Sequence, residues 1–425
     1  MITDFIVETD FCSKQLWIKL EPKCLKKLQT KQLMSYPNSN AFIDLSHPKD
    51  FRPDLFIRGT DFIEYWFNTK DYKELSYPNK SVYQFLGQSS FADIDSDGII
   101  DHIIPVCRSY VDTCESPQIL VLSQKGSYDQ WIEVLDLENK FGLTFTQTTI
   151  WQSLHFFVTL RVGDIDSDGY PDFVTLMREN SSNHNKVVWL KSYGSDKNVF
   201  KRQFRIEWMS EIISFDNKQT NPYLTSIFDF EEDGKLDILV GSHIENYLNL
   251  NAFINNGKSS SNFLKVFVSS GICNQKDVCP QIGTPLIGSH LCLSPSEGNH
   301  MSCCGQVSQT QHFALQLPFV VFGLGSIPNF VENLSISIPS GEDKIRDQTW
   351  YELIPDSRIV IIPFPADDTN KWIQKIYLNP KYFAFQTLIT LATICCILVV
   401  IIAILHKRDL KQDIVEHREY KKHWL

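Results

Sequence analysis

The chain has 425 residues, of which 43% are hydrophobic and 21% charged; this excludes wholesale disorder and sets a soft expectation of two or three domains. Its 40 Lys+Arg stand against 50 Asp+Glu, a net charge of −10, which excludes a nucleic-acid binder dependent on a basic face. The charge is uneven: residues 382–405 carry none, 406–425 carry six basic and four acidic groups, and 1–381 hold 34 basic against 46 acidic groups.

The first residues, MITDFIVETDFCSKQL, place acids where a basic n-region and an apolar run would mark a secretory signal. Either the apolar span 382–405 inserts late as its own signal or the true N-terminus is missing, and the second is expected, with residues 1–40 an irregular, truncated segment.

Residues 41–261 carry an internal repeat: SSFADIDSDGIIDHIIPV (89–106), LRVGDIDSDGYPDFVTLM (160–177) and SIFDFEEDGKLDILVG (226–241). Their first acids, Asp93, Asp164 and Asp229, recur at domain-like spacing. Each copy reads D-x-D-x-D-G-x-x-D between apolar runs, with Glu231 at position 3 of the third. Carboxylates at positions 1, 3, 5 and 9 of a tight loop can turn inward together, glycine at position 6 permits the bend, and the carbonyl of position 7 adds an oxygen. The ligand sets are therefore Asp93, Asp95, Asp97, the Ile99 carbonyl and Asp101; Asp164, Asp166, Asp168, the Tyr170 carbonyl and Asp172; and Asp229, Glu231, Asp233, the Lys235 carbonyl and Asp237. All-oxygen, multi-carboxylate sites select a hard cation, and a structural Ca²⁺ is expected. An EF-hand would need Glu at position 12 and flanking helices; position 12 here is Ile104, Thr175 and Val240, and the flanks are strand-like. A degenerate copy at 41–57 keeps Asp44 and Asp54 but lacks the central acids and the glycine, so no metal is expected there.

Residues 262–381 alternate or run apolar between Gly and Pro breaks, as in FLKVFVSSG, HFALQLPFVVFGLG, LSISIPSG and RIVIIPFP, and predict a β-sandwich-like domain. Gly323 and Gly325 are expected at a turn or bulge, since no helix follows to make GLG a nucleotide loop. Nine of the 11 cysteines precede the apolar span. Cys107 with Cys114 and Cys273 with Cys279 are placed to close short loops; Cys12 with Cys24, and Cys292 with either Cys303 or Cys304, are further pairs, and one thiol is left over. No zinc spacing occurs. Three sequons, at Asn79, Asn180 and Asn333, also precede the span.

The run YFAFQTLITLATICCILVVIIAIL (382–405) is uncharged, and at about 1.5 Å per residue it is long enough for a roughly 30 Å hydrocarbon core. Thr387, Thr390 and Thr393 can return their hydroxyls to the helix backbone, and Lys407-Arg408 closes the inner end. Cysteines and sequons on one side and a basic tail on the other predict a single-pass type I protein at the cell membrane, with 406–425 cytosolic. No G-x-S-x-G, H-E-x-x-H or P-loop is present, so no enzyme is expected.

FADIDSDG and VGDIDSDG, each with another Asp three residues after the Gly, resemble the FG-GAP calcium loops of integrin α-subunit β-propellers. With the stretch SQTQHFALQLPFVVFGLGSIPNFVENLSISIPSGEDKIRDQTWYELIPDSRIVIIPFP (308–365), a single span and a short charged tail, the chain resembles the T-cell immunomodulatory protein (linkin) family over nearly its whole length. The resemblance implies an all-β fold: an FG-GAP propeller, incomplete here, then a β-rich membrane-proximal domain and one C-terminal transmembrane helix. It implies a surface adhesion or signalling glycoprotein that meets an extracellular protein ligand or receptor, T-cell-modulating activity, and cytosolic links to RuvB-like ATPases and tubulin. The alternative is a secretory-pathway protein that binds glycans or assists assembly of other membrane proteins.

Overall fold

The computed structural model describes residues 5–9, 12–18, 21–24, 35, 40–45, 54–67, 71–111, 113–123, 130–150, 154–179, 184–197, 199–210, 214–215, 218–219, 221–244, 247–257, 261–270, 283–294, 301–307, 316–326, 330–339, 345–378 and 382–423. Two compact units divide the chain at 377/378. The first is all β apart from short helical turns; the second contains one helix.

Four antiparallel sheets follow one another in the first unit. The first is a meander of Ala41–Ile43, Asp54–Arg58, Ile63–Phe67 and Asp71–Leu75. The second is built on Asp101–Cys107, paired on one side with Gln118–Leu122 and on the other with Phe85–Leu86 and Ser90–Ala92. All seven residues of Asp101–Cys107 are buried, as befits a central strand with an apolar run rather than an alternating one. The third sheet repeats the plan, with Asp172–Glu179 between Arg161–Gly163 and Asn185–Gly194. The fourth has three described strands, Asn221–Phe228, Asp237–Ile244 and Tyr247–Phe253. Apolar clusters join neighbours: Ile103, Phe145, Phe173 and Phe204 between the second and third sheets, and Val174, Val187, Ile227 and Ile238 between the third and fourth.

His102 is a buried imidazole inside this core. It lies fully buried against Phe56, Phe91 and Trp131, with Nε2 2.8 Å from the Ser89 hydroxyl. Burial first, and the nearby Arg58 charge second, carry its pKa down to about 3. A base depressed in this way contributes stability above its ordinary value near 6.5, and loses it as pH falls from there toward 3. Through His102 alone, acidification from pH 7 to 5 should therefore cost about 2 kcal/mol. Chemical denaturation of parent and His102→Gln at the two pH values checks this; an equal loss in both would refute it.

The C-terminal part of the unit is a sandwich with eight described strands. One sheet runs Val320–Gly325, Asn262–Val268, Ser357–Ile362, Ile373–Leu378; the other runs Ser302–Gln306, Ser289–Ser294, Val331–Ser337, Asp347–Leu353. Leu264, Val266, Phe322, Ile359 and Ile361 from the first pack against Leu291, Leu293, Leu334 and Ile336 from the second. The bulge expected at GLG is present: the register against Asn262–Val268 slips between the Gly325 and Gly323 pairings.

The second unit is the helix Tyr382–His423, 42 residues long. It contains an apolar stretch long enough to cross a membrane. Thr390 and Thr393 donate their hydroxyls to the carbonyls of Thr387 and Thr390, at 2.8 and 2.7 Å. The helix continues past residue 405 through the charged tail, because neither Gly nor Pro interrupts 382–423.

Candidate metal centres

All three acidic loops are hairpin connections with the same register. The residue before position 1 pairs with position 9: Ala92 with Asp101, Gly163 with Asp172, Phe228 with Asp237. The loops also share a hydrogen-bond lattice. The first aspartate accepts the amides of positions 5 and 6: Asp97 and Gly98 donate to Asp93 at 3.1 and 2.8 Å, Asp168 and Gly169 to Asp164 at 3.0 and 2.7 Å, Asp233 and Gly234 to Asp229 at 3.1 and 3.2 Å. The position-5 aspartate accepts the amide of position 7, and the position-9 aspartate that of position 2. Positions 4 and 6 are left-handed throughout, at φ 55° and 86° for Ser96 and Gly98, 58° and 95° for Ser167 and Gly169, 55° and 83° for Glu232 and Gly234. Two left-handed residues turn a six-residue arc back on itself and aim its acids inward, which is why glycine stands at position 6.

The first two loops bring their carboxylates together. Ligand atoms of Asp93, Asp95 and Asp101 lie within 4.8 Å of one another, as do those of Asp164, Asp166 and Asp172. Asp93, Asp101, Asp164 and Asp172 are buried. Burial, reinforced by neighbouring carboxylates, pushes Asp93 and Asp172 up to about 8 and Asp101 and Asp164 well above the carboxylate range. Asp168 is pushed up to about 6 by burial and by Asp166. Such clusters demand protons or a cation, and an all-oxygen set fits a hard divalent ion. Asp97, Ile99 and Tyr170 follow at their loop positions, Ile99 buried and Tyr170 half-buried. Lys191 pairs with Asp166, and lies 3.9 Å from Asp168, on the half-exposed side of the second loop.

The third loop differs. Asp229 and Asp237 are buried but Glu231 is exposed, Asp233 and Lys235 are half-buried, and Lys235 donates its ammonium to the Gly257 carbonyl at 2.7 Å. Lys265, from the sandwich strand Asn262–Val268, places its Nζ 2.8 Å from Asp229. This partner was missed in the sequence; the signal that could have found it is a lone lysine inside the apolar run FLKVFV.

Each loop touches the sandwich. Cys303 donates its amide to Asp93 at 3.0 Å, and Met301 donates to the Ser96 carbonyl at 3.1 Å. Gly325 donates to the Ser167 carbonyl at 2.9 Å. Phe263 lies against Gly234.

The cysteine reading holds at Cys107–Cys114, and the open choice at Cys292 resolves to Cys303, with Cys304 left as a half-buried thiol pushed up to about 12 by desolvation and by Asp93. Cys273 and Cys279 lie outside the described residues, and the side chains of Cys12 and Cys24 are not described. His290 approaches Cys292 and Cys303, but the disulfide leaves no thiolate there for a metal. Asn79 is exposed in a turn, Asn333 is half-buried within Val331–Ser337, and Asn180 lies outside the described residues.

The family profile described as "ITFG1, C2 domain" matches residues 282–377, within the sandwich. The human T-cell immunomodulatory protein is 32% identical over 427 residues, covering 92% of this chain and 67% of its own length. The Macaca fascicularis protein of the same name is 33% identical over 276 residues, covering 62% of this chain and 87% of its own length. Protein linkin of Caenorhabditis elegans is 28% identical over 389 residues, covering 86% of this chain and 62% of its own length. The chain thus spans about two thirds of the length of the human relative.

Proposed function

Because the chain belongs to the T-cell immunomodulatory protein family, we propose that it is a single-pass cell-surface glycoprotein whose calcium-braced ectodomain binds another protein and modulates T-cell function. In this reading the apolar part of Tyr382–His423 crosses the membrane, the repeat sheets and sandwich face outward with sugar on Asn79, and the charged helical tail meets cytosolic partners of the RuvB-like ATPase and tubulin kind. The relatives carry the names of an immunomodulatory protein and of linkin, which are not enzyme names.

One observation carries the calcium part: two three-carboxylate clusters, each with two buried acids and one half-buried, on the same hairpin lattice. Asp93, Asp95, Asp97 and Asp101 would hold one ion, and Asp164, Asp166, Asp168 and Asp172 the other, with the Ile99 and Tyr170 carbonyls supplying further oxygens. The ion neutralises charge and locks each turn; its role is structural. Calcium should raise the melting temperature of the full-length protein in detergent, since a ligand of the folded state alone stabilises it by mass action. Asp95→Ala and Asp166→Ala should each lose part of that rise. If chelator leaves the parent's melting unchanged, the calcium reading is wrong. Surface biotinylation with mature glycans separates the surface module from the secretory-pathway alternative, which requires retention with immature glycans.

A further inference from the structure

We propose that the ammonium of Lys265 is the resident cation of the third acidic loop, so that this loop takes no divalent ion and ties its sheet to the sandwich without calcium. The inference rests on the calcium reading of the first two loops only for the contrast between them.

The backbone of the third loop is that of the others, so a difference in cation must come from side chains. The placement of those side chains supplies it. The first two loops each gather three carboxylates, a set that calls for a divalent ion. In the third, Glu231 turns to solvent and Asp229 is the fully buried acid nearest a cation, with a side chain 0% exposed. Asp237 is buried as well and accepts the amides of Phe230 and Asn255; Asp229 is the buried acid that meets a positive charge. Lys265 provides it at 2.8 Å, its own side chain only 9% exposed and its Nζ 3.9 Å from the centre of the Phe319 ring, a face that favours a cation.

The strand that delivers the lysine is held in place by the loop itself. A methyl group at Gly234 would come within 2.2 Å of the Phe263 ring, two residues before Lys265, so position 6 is glycine here for contact as well as for its φ of 83°. Glu232, at position 4, pairs with Arg358 on the adjoining strand Ser357–Ile362. Lys191 of the second loop is not equivalent: it reaches positions 3 and 5 from the half-exposed side, whereas Lys265 reaches position 1 from within.

Calcium counting on the full-length protein in nanodiscs, by isothermal titration, tests this. Two ions per chain are expected. Asp93→Asn and Asp164→Asn should each remove one, and Asp229→Asn none. In chelator, Lys265→Met should lower the melting temperature by about 5 °C or more, because it strands a buried carboxylate. Lys265→Met/Asp229→Asn should recover most of that loss, and Lys265→Arg should retain the parent's stability. A third ion that disappears with Asp229→Asn, or additive melting shifts for Lys265→Met and Asp229→Asn, would overturn the proposal. If Lys265→Met does not fold, the ion count of Asp229→Asn still decides. A parent that binds no calcium would sink the reading of the first two loops, and the coupling of Lys265 to Asp229 in chelator would then decide the third by itself.

Discussion

Gly323→Ala should destabilise the body of the protein by about 3 kcal/mol or more, at or above the upper end of ordinary overpacking. A methyl group at this position would lie 1.8 Å from the Asp164 carboxylate and 2.5–2.6 Å from the Ser167 backbone. Neither neighbour can retreat cheaply. Asp164 holds the amides of Asp168 and Gly169, and Ser167 is the left-handed residue of the same turn, its carbonyl already engaged by Gly325. The substitution should also blunt the calcium response as Asp166→Ala does, since it displaces the first ligand of the second loop. Gly194→Ala is the control: nothing lies within 4 Å of a methyl group there, and a change within about 0.5 kcal/mol is expected. Calcium-dependent thermal unfolding of the three proteins decides it, and a Gly323→Ala protein that melts with the parent would mean the loop does not seat on this strand.

Calcium removal should cost several kcal/mol at pH 8 and much less at pH 5.5. Burial ahead of all else, then the neighbouring acids, pushes Asp93 and Asp172 up to about 8 and Asp168 to about 6. A carboxylate raised in the folded state contributes stability below its unfolded value near 4, and loses it progressively as pH rises toward the folded value, at about 1.4 kcal/mol per unit for each fully coupled group. In the ion-free protein the loops therefore lose stability from pH 5 to 8, as the clusters are forced to ionise without a counter-charge. Calcium replaces the protons, so its affinity rises over the same interval. The difference between calcium and chelator at each pH reads the loops. Melting curves in both conditions at several pH values test this; a chelator effect of constant size would contradict it.

Much of the local architecture is legible in the chain itself. The D-x-D-x-D-G-x-x-D spacing is a local code: acid caps, a left-handed residue and a glycine close a hairpin within ten residues, and the three copies agree in register and hydrogen bonds. The uncharged span 382–405 and the short loop Cys107–Cys114 are equally local, and the sandwich follows from apolar alternation. The third loop shows where this legibility stops. Its pattern is almost that of the other two, yet the position of Glu231, exposed rather than turned inward, is not contained in the motif.

Sequence alone determined the strand-loop-strand units, the acids that cap them, the membrane-length helix and the all-β class, because each depends on neighbours a few residues apart and on the period of buried side chains. Tertiary structure alone decided what each loop leans on and which side chains reach it. Cys303 meets Asp93 across 210 positions, Gly323 closes on Asp164, and Lys265 enters the third loop across 36 positions. Those contacts exist only once the sandwich has folded back on the repeat sheets. The balance of charge in a buried site is set by everything brought within a few ångströms of it, and chain separation carries no record of that.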